Sequence, residues 1–321
     1  MEMTIDKAAA VIESIRGEVS RVFKGQDEVL DSVLLSLVAS GHVLVEGLPG
    51  LGKTLLTRAL ATSFGGDSKR VQFTPDLMPH DITGHTMYDM ASGTFVTRKG
   101  PVFTHILVAD EINRAPAKTQ AALLEVMQEY QVSFDGASYP IERPFLTLAT
   151  QNPAEHEGTY PLPDAQLDRF LLKVIIDYPS PEAERDIVGQ LLDGKGGETL
   201  DVSSVRKVSS VEELAATQGS VSLVRVDAAL VGYAVDIACA TRTHRAIRVG
   251  AGPRASLALV RLARASALSE GRDYATPDDV RRWALPVLRH RVLPSVEWEI
   301  DGRTADDAIG FVLESVQAPR R

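Results

Sequence analysis

A glycine-rich loop between an apolar segment and a helix constrains the fold of this chain more than any other feature. The loop fits the phosphate-binding pattern G-x-x-x-x-G-K-[ST]. It consists of Gly47, Leu48, Pro49, Gly50, Leu51, Gly52, Lys53 and Thr54. Residues 43–46 before it predict a short buried strand, and residues 55–62 after it are good helix formers. Glycines let backbone N–H groups turn towards a phosphate, and the helix N-terminus adds partial positive charge. The pattern therefore predicts that Lys53 contacts the outer phosphates and that the Thr54 hydroxyl helps to hold Mg²⁺.

The composition predicts a packed globular protein with room for two domains. The chain has 321 residues, of which 44% are hydrophobic and 24% are charged. A net charge of −9 argues against general binding to a nucleic-acid backbone, although a local basic channel stays open as an alternative. The sequence contains no apolar run of membrane-spanning length and no signal-peptide pattern, and its single cysteine, Cys239, fits a reducing compartment. We therefore expect a cytoplasmic protein, in which Cys239 is buried by packing.

Strands and helices alternate over residues 1–178, which predicts an α/β domain with a parallel sheet covered by helices on both faces. Two hairpins, at about residues 85–96 and 131–141, interrupt this domain. Helical periodicity dominates after the turn-forming segment at residues 177–181. We therefore expect a second, all-α domain over residues 179–321, with residues 194–197 forming a flexible turn.

Polar side chains follow two of the predicted strands. Asp110 and Glu111 come directly after the apolar run 106–109. At a strand tip beside the loop, Asp110 can bind Mg²⁺, usually through water, and Glu111 can polarise an attacking water. Asn152 follows the strand at residues 145–149, where its amide can orient that water, although it also fits a simple turn before Pro153.

Two arginines are further candidates. Arg169 follows a turn-forming segment, so it is either a surface ion-pair group or an arginine finger that stabilises phosphate charge in a neighbouring subunit. Arg254 opens a helix, where the helix dipole disfavours positive charge. Unless Arg254 is a tolerated surface residue, that conflict indicates contact with nucleotide across the cleft between the domains.

Taken in order, these residues resemble the AAA+ ATPases, and longer stretches resemble the MoxR subfamily. These stretches are residues 72–79 (QFTPDLMP), 110–115 (DEINRA), 149–153 (ATQNP) and 166–170 (QLDRF). The resemblance covers nearly the whole chain. It implies an AAA+ P-loop NTPase core with a five-stranded parallel sheet and a C-terminal helical lid. In the core it implies a Walker A loop at residues 47–54, a Walker B pair at Asp110 and Glu111, sensor 1 at Asn152 and the finger at Arg169. In the lid it implies sensor 2 at Arg254. Gly252 departs from the serine expected near sensor 2.

The resemblance also implies ligands and partners. ATP and Mg²⁺ are the expected cofactors. The predicted nucleotide-binding residues are those of the loop, together with Leu55 and Gln26. Gln26 is included because it lies in a segment similar to the one that packs near adenine in the family. A homo-oligomer, as a six-membered ring, is expected, with the hairpins facing a pore or client. Arg114 is a second candidate for contacts between subunits.

The function that the resemblance implies is ATP-driven remodelling, maturation or activation of client protein complexes, alongside a von Willebrand A domain protein. Nucleic acid and membrane insertion are not expected. One alternative is a nucleic-acid motor, but the hairpin tips at residues 91–93 and 135–137 are not basic. A nucleotide-gated scaffold with little turnover is the other alternative, which the presence of Glu111 disfavours.

Overall fold

A computed structural model describes residues 3–48, 50–152, 159–193 and 202–319. The strands are β1 (Val43–Gly47), β2 (Ser68–Gln72), β3 (Gly84–Asp89), β4 (Thr94–Lys99), β5 (Ile106–Asp110), β6 (Gln131–Phe134), β7 (Ala137–Pro140), β8 (Leu146–Gln151), β9 (Leu172–Ile176), β10 (Ile247–Val249) and β11 (Leu293–Pro294). The helices are α1 (Ile5–Val19), α2 (Asp27–Val38), α3 (Lys53–Phe64), α4 (Pro79–Thr83), α5 (Ala117–Glu129), α6 (Asp164–Leu167), α7 (Pro181–Asp193), α8 (Val211–Ser220), α9 (Ala228–Thr243), α10 (Pro253–Ser269), α11 (Pro277–Leu288), α12 (Val296–Ile300) and α13 (Ala305–Ser315).

The main sheet is parallel and has the strand order β2-β5-β8-β1-β9. This confirms the predicted five-stranded α/β fold. Because all carboxyl ends meet at one edge of a parallel sheet, the loop after β1 lies beside the tip of β8, and β5 follows next. The order of the strands thus brings together three predicted elements of the site: the glycine-rich loop, the two acids and Asn152.

The sheet is covered by apolar side chains on both faces. Along β1, Val43 and Val45 pack into one hydrophobic cluster and Leu44 packs into the other, as strand alternation requires. The first cluster includes side chains of α1, α2 and α3 and continues without a break to Leu259 of α10 and Trp283 of α11. The N-terminal helix α1 packs against α3, α8 and α10, so it joins the sheet layer to the C-terminal helices.

The C-terminal part is a helical lid, as predicted, with a small antiparallel pair of strands, β10 and β11, in addition. Side-chain caps begin five of its helices, α8, α9, α11, α12 and α13. In α11 the Thr276 side chain accepts a hydrogen bond from the Asp279 backbone N–H, which confirms the predicted start of this helix. Cys239 on α9 is only half-buried, so its predicted burial is incomplete. Among the described residues, no helix combines the length and apolar character needed to span a bilayer. The predicted turn at residues 194–197 lies outside the described residues, and the division at residue 178 stays a prediction.

Both hairpins form, and they lie side by side. Strand β3 pairs with β4, and β6 pairs with β7. The hydroxyl oxygens of Thr97 and Tyr139 are 3.4 Å apart, which joins the two hairpins. Apolar side chains at the end of the first hairpin are exposed, and Met90 is 90% exposed. Tyr88 and Phe95 are also exposed and contact each other edge to face. This end of the hairpin therefore offers apolar surface that no described part of the chain covers.

His42 is buried at the start of β1 and predicts acid-sensitive stability. Its Nε2 donates to the Met127 carbonyl at 2.9 Å, and its Nδ1 accepts from the Thr147 N–H at 3.0 Å. Burial lowers the pKa of His42, the hydrogen bond to Met127 opposes that shift, and the Arg261 charge adds to it, which together bring the pKa to about 4. Between about pH 6.5 and pH 4, His42 is therefore protonated in the unfolded chain but stays neutral in the folded chain.

Stability is thus complete above the ordinary pKa and falls as the pH drops towards 4. We expect His42 to account for a loss of about 2 kcal/mol in the free energy of unfolding between pH 7 and pH 5. The measurement is urea unfolding of the protein and of His42→Gln, which keeps a donor near Met127 but cannot titrate. An equally steep pH dependence in His42→Gln would contradict this assignment.

Candidate nucleotide site

A cavity of about 280 Å³ opens at the carboxyl edge of the sheet. It is lined by the loop after β1, the start of α3 and the tips of β2, β5 and β8. It brings together these predicted residues: Gly47, Gly50, Leu51, Gly52, Lys53, Thr54, Leu55, Asp110, Glu111 and Asn152. Leu48 lines a smaller cavity beside it, and Pro49 lies outside the described residues. The glycine-rich loop, both acids and Asn152 therefore face one space, which we name the phosphate cavity after its glycine-rich loop.

The conformation of the loop depends on its glycines. Gly50 and Gly52 have φ values of 87° and 79°, which side chains disfavour. At Gly47 a Cβ atom would lie 2.6 Å from the Ile176 carbonyl oxygen, so a larger residue does not fit without a shift. Lys53 begins α3, and its Nζ donates to the Gly47 carbonyl at 2.7 Å, which curls the side chain back over the loop. Burial lowers the pKa of Lys53, while Asp110 and Glu111 oppose that shift.

Asp110 is held in the wall of the cavity and is 9% exposed. Its Oδ1 accepts from the Thr150 hydroxyl at 3.2 Å, and its Oδ2 accepts from Arg70 Nε at 2.5 Å. Arg70 lies on β2, the strand next to β5, and the sequence alone did not indicate it. The two contacts fix the carboxylate with its oxygens at the edge of the phosphate cavity.

Glu111 points in a different direction because its backbone is left-handed, with φ at 54°. Its N–H donates to the Thr150 hydroxyl at 2.9 Å. Its Oε2 accepts from Gln72 Nε2 at 2.8 Å and from Arg114 Nη1 at 3.0 Å. The turn thus separates the two neighbouring carboxylates: Asp110 contacts Arg70, and Glu111 contacts Gln72 and Arg114 of its own chain. Gln72 begins the family-like stretch 72–79, but a role for it in this site was not predicted, because only the pairing of β2 with β5 places it there.

Gln26 contacts the segment 175–178, which forms one wall of the smaller cavity. This cavity has a volume of about 120 Å³ and is formed by the start of the loop and residues 175–178. The Gln26 Nε2 donates to the Asp177 carbonyl at 3.5 Å, and its Oε1 is buried without a hydrogen-bond partner in the part of the chain that the structure describes. Gly25 has φ at 72°, and a Cβ there would lie 2.3 Å from the Ala183 Cβ, so this approach requires glycine.

Arg169 and Arg254 line a different cavity, of about 510 Å³. Arg254 Nη1 is 3.8 Å from Asp168 Oδ2, and Arg169 Nε is buried without a hydrogen-bond partner among the described residues. Neither arginine is among the described residues that line the phosphate cavity. The expectation that Arg254 reaches the nucleotide of its own chain across the domain cleft therefore finds no support in this geometry. The lid instead places Arg254 on the same face as Arg169.

The donor set of the phosphate cavity fits a magnesium nucleotide. Mg²⁺ prefers oxygen ligands, and the Asp110 carboxylate and Thr54 hydroxyl both line the cavity. The N-terminus of α3 and Lys53 supply the positive charge that phosphates require. The fit rests on this chemistry, and it agrees with the predicted roles of Lys53, Thr54 and Asp110, which stay predictions.

Known proteins resemble this chain over nearly its whole length. Residues 42–172 match the ATPase family associated with various cellular activities (AAA), and residues 239–310 match the AAA lid domain. The protein named chaperone MoxR1 in Mycobacterium tuberculosis is 44% identical over 312 residues, which cover 94% of this chain and 81% of that protein. This chain belongs to the MoxR family of AAA+ ATPases.

Two further similarities support this membership. The protein named MoxR in Methylorubrum extorquens is 32% identical over 330 residues, covering 94% of this chain and 93% of that protein. The crystal structure of a candidate ATPase from Cytophaga hutchinsonii superposes with a TM-score of 0.91 at 37% identity, covering 98% of this chain and 97% of that one. The MoxR resemblance and the AAA+ fold predicted from the sequence are therefore confirmed.

Proposed function

We propose that this MoxR-family protein hydrolyses ATP at sites shared between identical subunits. The supporting observation is that the phosphate-binding groups and the two arginines of one chain lie in separate cavities. Two complementary surfaces on different parts of one chain make a head-to-tail contact, and such contacts close into rings when the rotation allows. A ring, six-membered as in the sequence-based prediction, would complete each phosphate cavity with Arg169 and Arg254 of the neighbour.

In this proposal each residue of the nucleotide site has a definite role. Lys53 and the loop N–H groups bind the outer phosphates, and Thr54 and Asp110 hold Mg²⁺, which neutralises phosphate charge when bound. Glu111 takes the proton of the attacking water, and Asn152 orients that water. Gln72 and Arg114 hold Glu111 in the described arrangement, so Glu111 has to exchange one of these contacts for the water. The neighbour's arginines stabilise charge that develops during transfer.

We infer that hydrolysis drives remodelling of client proteins. The hairpins lie side by side and expose Tyr88, Met90 and Phe95. Exposed apolar side chains in one place mark surfaces for protein contact. Chaperone action agrees with the name of the Mycobacterium relative. A von Willebrand A domain partner and a cytoplasmic location complete the proposal. The partner rests on the family resemblance, and the location rests on the single cysteine and the lack of a signal-peptide pattern.

The dependence of turnover on protein concentration tests the shared site. We expect the ATP turnover rate per subunit to rise with protein concentration over the range in which sedimentation shows assembly. A monomer holds only one half of each site, so dilution removes the arginines from the phosphate cavity. Constant turnover per subunit across dissociation would contradict the proposal, as would a protein that neither binds adenine nucleotides nor self-associates.

Single- and double-stranded DNA test the alternative of a nucleic-acid motor. The tip of the second hairpin contains Asp135, and no lysine or arginine lies within either tip. We therefore expect both nucleic acids to leave ATP turnover unchanged at physiological salt. Strong stimulation that weakens as salt rises would favour the motor instead.

A further inference from the structure

A buried arginine of the lid, Arg291, forms hydrogen bonds with the turn that carries Arg169. Arg291 follows α11, and its side chain is 3% exposed. Its Nε donates to Asp168 Oδ1 at 2.7 Å, and its Nη2 and Nη1 donate to the carbonyls of Phe170 at 2.6 Å and Leu171 at 3.1 Å. The neighbouring His290 also contacts the Phe170 carbonyl, at 3.2 Å. The lid therefore satisfies the polar backbone groups on both sides of Arg169.

The residues next to Arg169 are bound or buried, and Arg169 itself lines the cavity. Phe170 is fully buried in the hydrophobic cluster that contains Leu44 of β1. Asp168 is bound by Arg291, and its second oxygen faces Arg254 at 3.8 Å. Asp168 thus lies between the lid arginines Arg254 and Arg291. It also directly precedes Arg169 in the sequence. Its carboxylate connects the turn of Arg169 with the helix that carries Arg254.

Electrostatics explain why this carboxylate is needed. Five arginines line the cavity, against two acids, Glu129 and Asp168, and of these acids Asp168 is the one that contacts Arg254 and Arg291. The arginines are Arg143, Arg169, Arg254, Arg261 and Arg291. Burial lowers the pKa of Arg291, Asp168 opposes that shift, and the charges of Arg254 and Arg261 add to it. Like charges in one cavity repel each other unless an acid lies between them. Without Asp168, Arg254 would be repelled from Arg291 and would lose the contact that orients it.

We propose that Asp168, held by Arg291, is a positioning residue that presents Arg169 and Arg254 together to the nucleotide of a neighbouring subunit. This inference rests on the proposed shared site. Arg291 and Arg254 belong to the lid, and Asp168 belongs to the turn between α6 and β9, so their contacts tie the lid to the finger of the same subunit. A lid that shifts in response to nucleotide then carries both arginines with it.

Mixed assemblies separate the two sides of the shared site. Acceptor subunits carry Arg169→Ala, so they retain an intact phosphate loop but supply no finger. Donor subunits carry Lys53→Ala, so they supply both arginines but do not turn over their own ATP. We place Asp168→Asn on the donors in one mixture and on the acceptors in another. Asp168→Glu on the donors is the conservative variant, because it keeps the carboxylate. Arg291→Lys on the donors changes the other partner of the Asp168 contact and so tests that contact independently.

With Asp168→Asn on the donors, we expect kcat of the mixture to fall about tenfold, equivalent to about 1.4 kcal/mol of transition-state stabilisation. The KM for ATP should change little, because the phosphate loop lies on the acceptors. Asp168→Glu should recover part of the loss, and Arg291→Lys should reproduce it. On the acceptors, Asp168→Asn should cost much less, because their finger is already absent. Thermal unfolding of each subunit measures any purely structural damage.

Two results would overturn the role of Asp168. One is an equal loss of kcat from either side, since a structural defect would affect acceptors and donors alike. The other is full kcat with the donor-side substitutions. If verified mixtures with native Asp168 show no turnover, the shared site itself is rejected and the role of Asp168 with it, so the two failures are distinguishable.

Discussion

Replacement of Glu111 by glutamine is expected to lower ATP turnover by about 10²- to 10⁴-fold, the usual contribution of a general base. The amide has nearly the same shape but does not take a proton from water. Glu111 lines the phosphate cavity beside Lys53, and the glutamine leaves the loop and Asp110 in place, so nucleotide binding should persist. Phosphate release measures turnover, and a fluorescent adenine nucleotide measures binding.

Glu125→Gln is the matched control, because Glu125 is an exposed acid on α5 outside the cavity. It should retain full turnover. Equal and negligible turnover in the native protein and Glu111→Gln, under conditions that permit assembly, would favour the nucleotide-gated scaffold. If Glu111→Gln does retain ATP without hydrolysis, it is also the variant with which to capture a client.

Replacement of Arg169 by alanine is expected to lower turnover by about 10³- to 10⁵-fold, the range measured for arginine fingers. The side chain lines the second cavity, so its loss should leave nucleotide binding at the phosphate loop intact. Mixing Arg169→Ala with Lys53→Ala subunits should restore part of the turnover, because some interfaces then combine an intact loop with an intact finger. Phosphate release from verified mixed assemblies measures the recovery.

The control for this substitution is Arg58→Ala, which removes an exposed arginine of α3. Its turnover should match that of the native protein. No recovery in mixed assemblies would reject the assignment of Arg169 to a neighbouring site. Recovery with Arg114→Ala in place of Arg169→Ala would indicate that the second candidate also acts between subunits, even though Arg114 contacts Glu111 of its own chain.

The sequence predicted the parallel sheet and the phosphate loop because both have strong local signals. Lys53 and Thr54 follow from loop spacing, and Asp110 follows from its place after an apolar strand. Gln72 and Arg70 could not be found in this way, because their contacts depend on β2 lying next to β5. Strand order arises from packing across the whole sheet and is not encoded by any one segment.

The position of Arg254 shows the same limit at a larger scale. The sequence predicted that Arg254 opens a helix, and α10 begins one residue earlier, at Pro253, which suits the first helical turn. The packing of α10 against α1 and α2 decides which cavity the start of α10 faces. These contacts join parts of the chain that are distant in sequence. Arg291 carried no sequence signal, because a buried arginine bound to carbonyls cannot be distinguished by pattern from an exposed one.

The unbroken apolar cluster between the sheet and the lid limits how the protein can be divided. Residues of α1, β1, α10 and α11 share it, so either half produced by itself would expose to water a surface that is dry in the whole chain. Such fragments should aggregate, and deletion of the lid is therefore a poor way to study its role. Movements during a nucleotide cycle must then be small enough to keep this seam closed, which favours slight sliding of packed helices over wide opening.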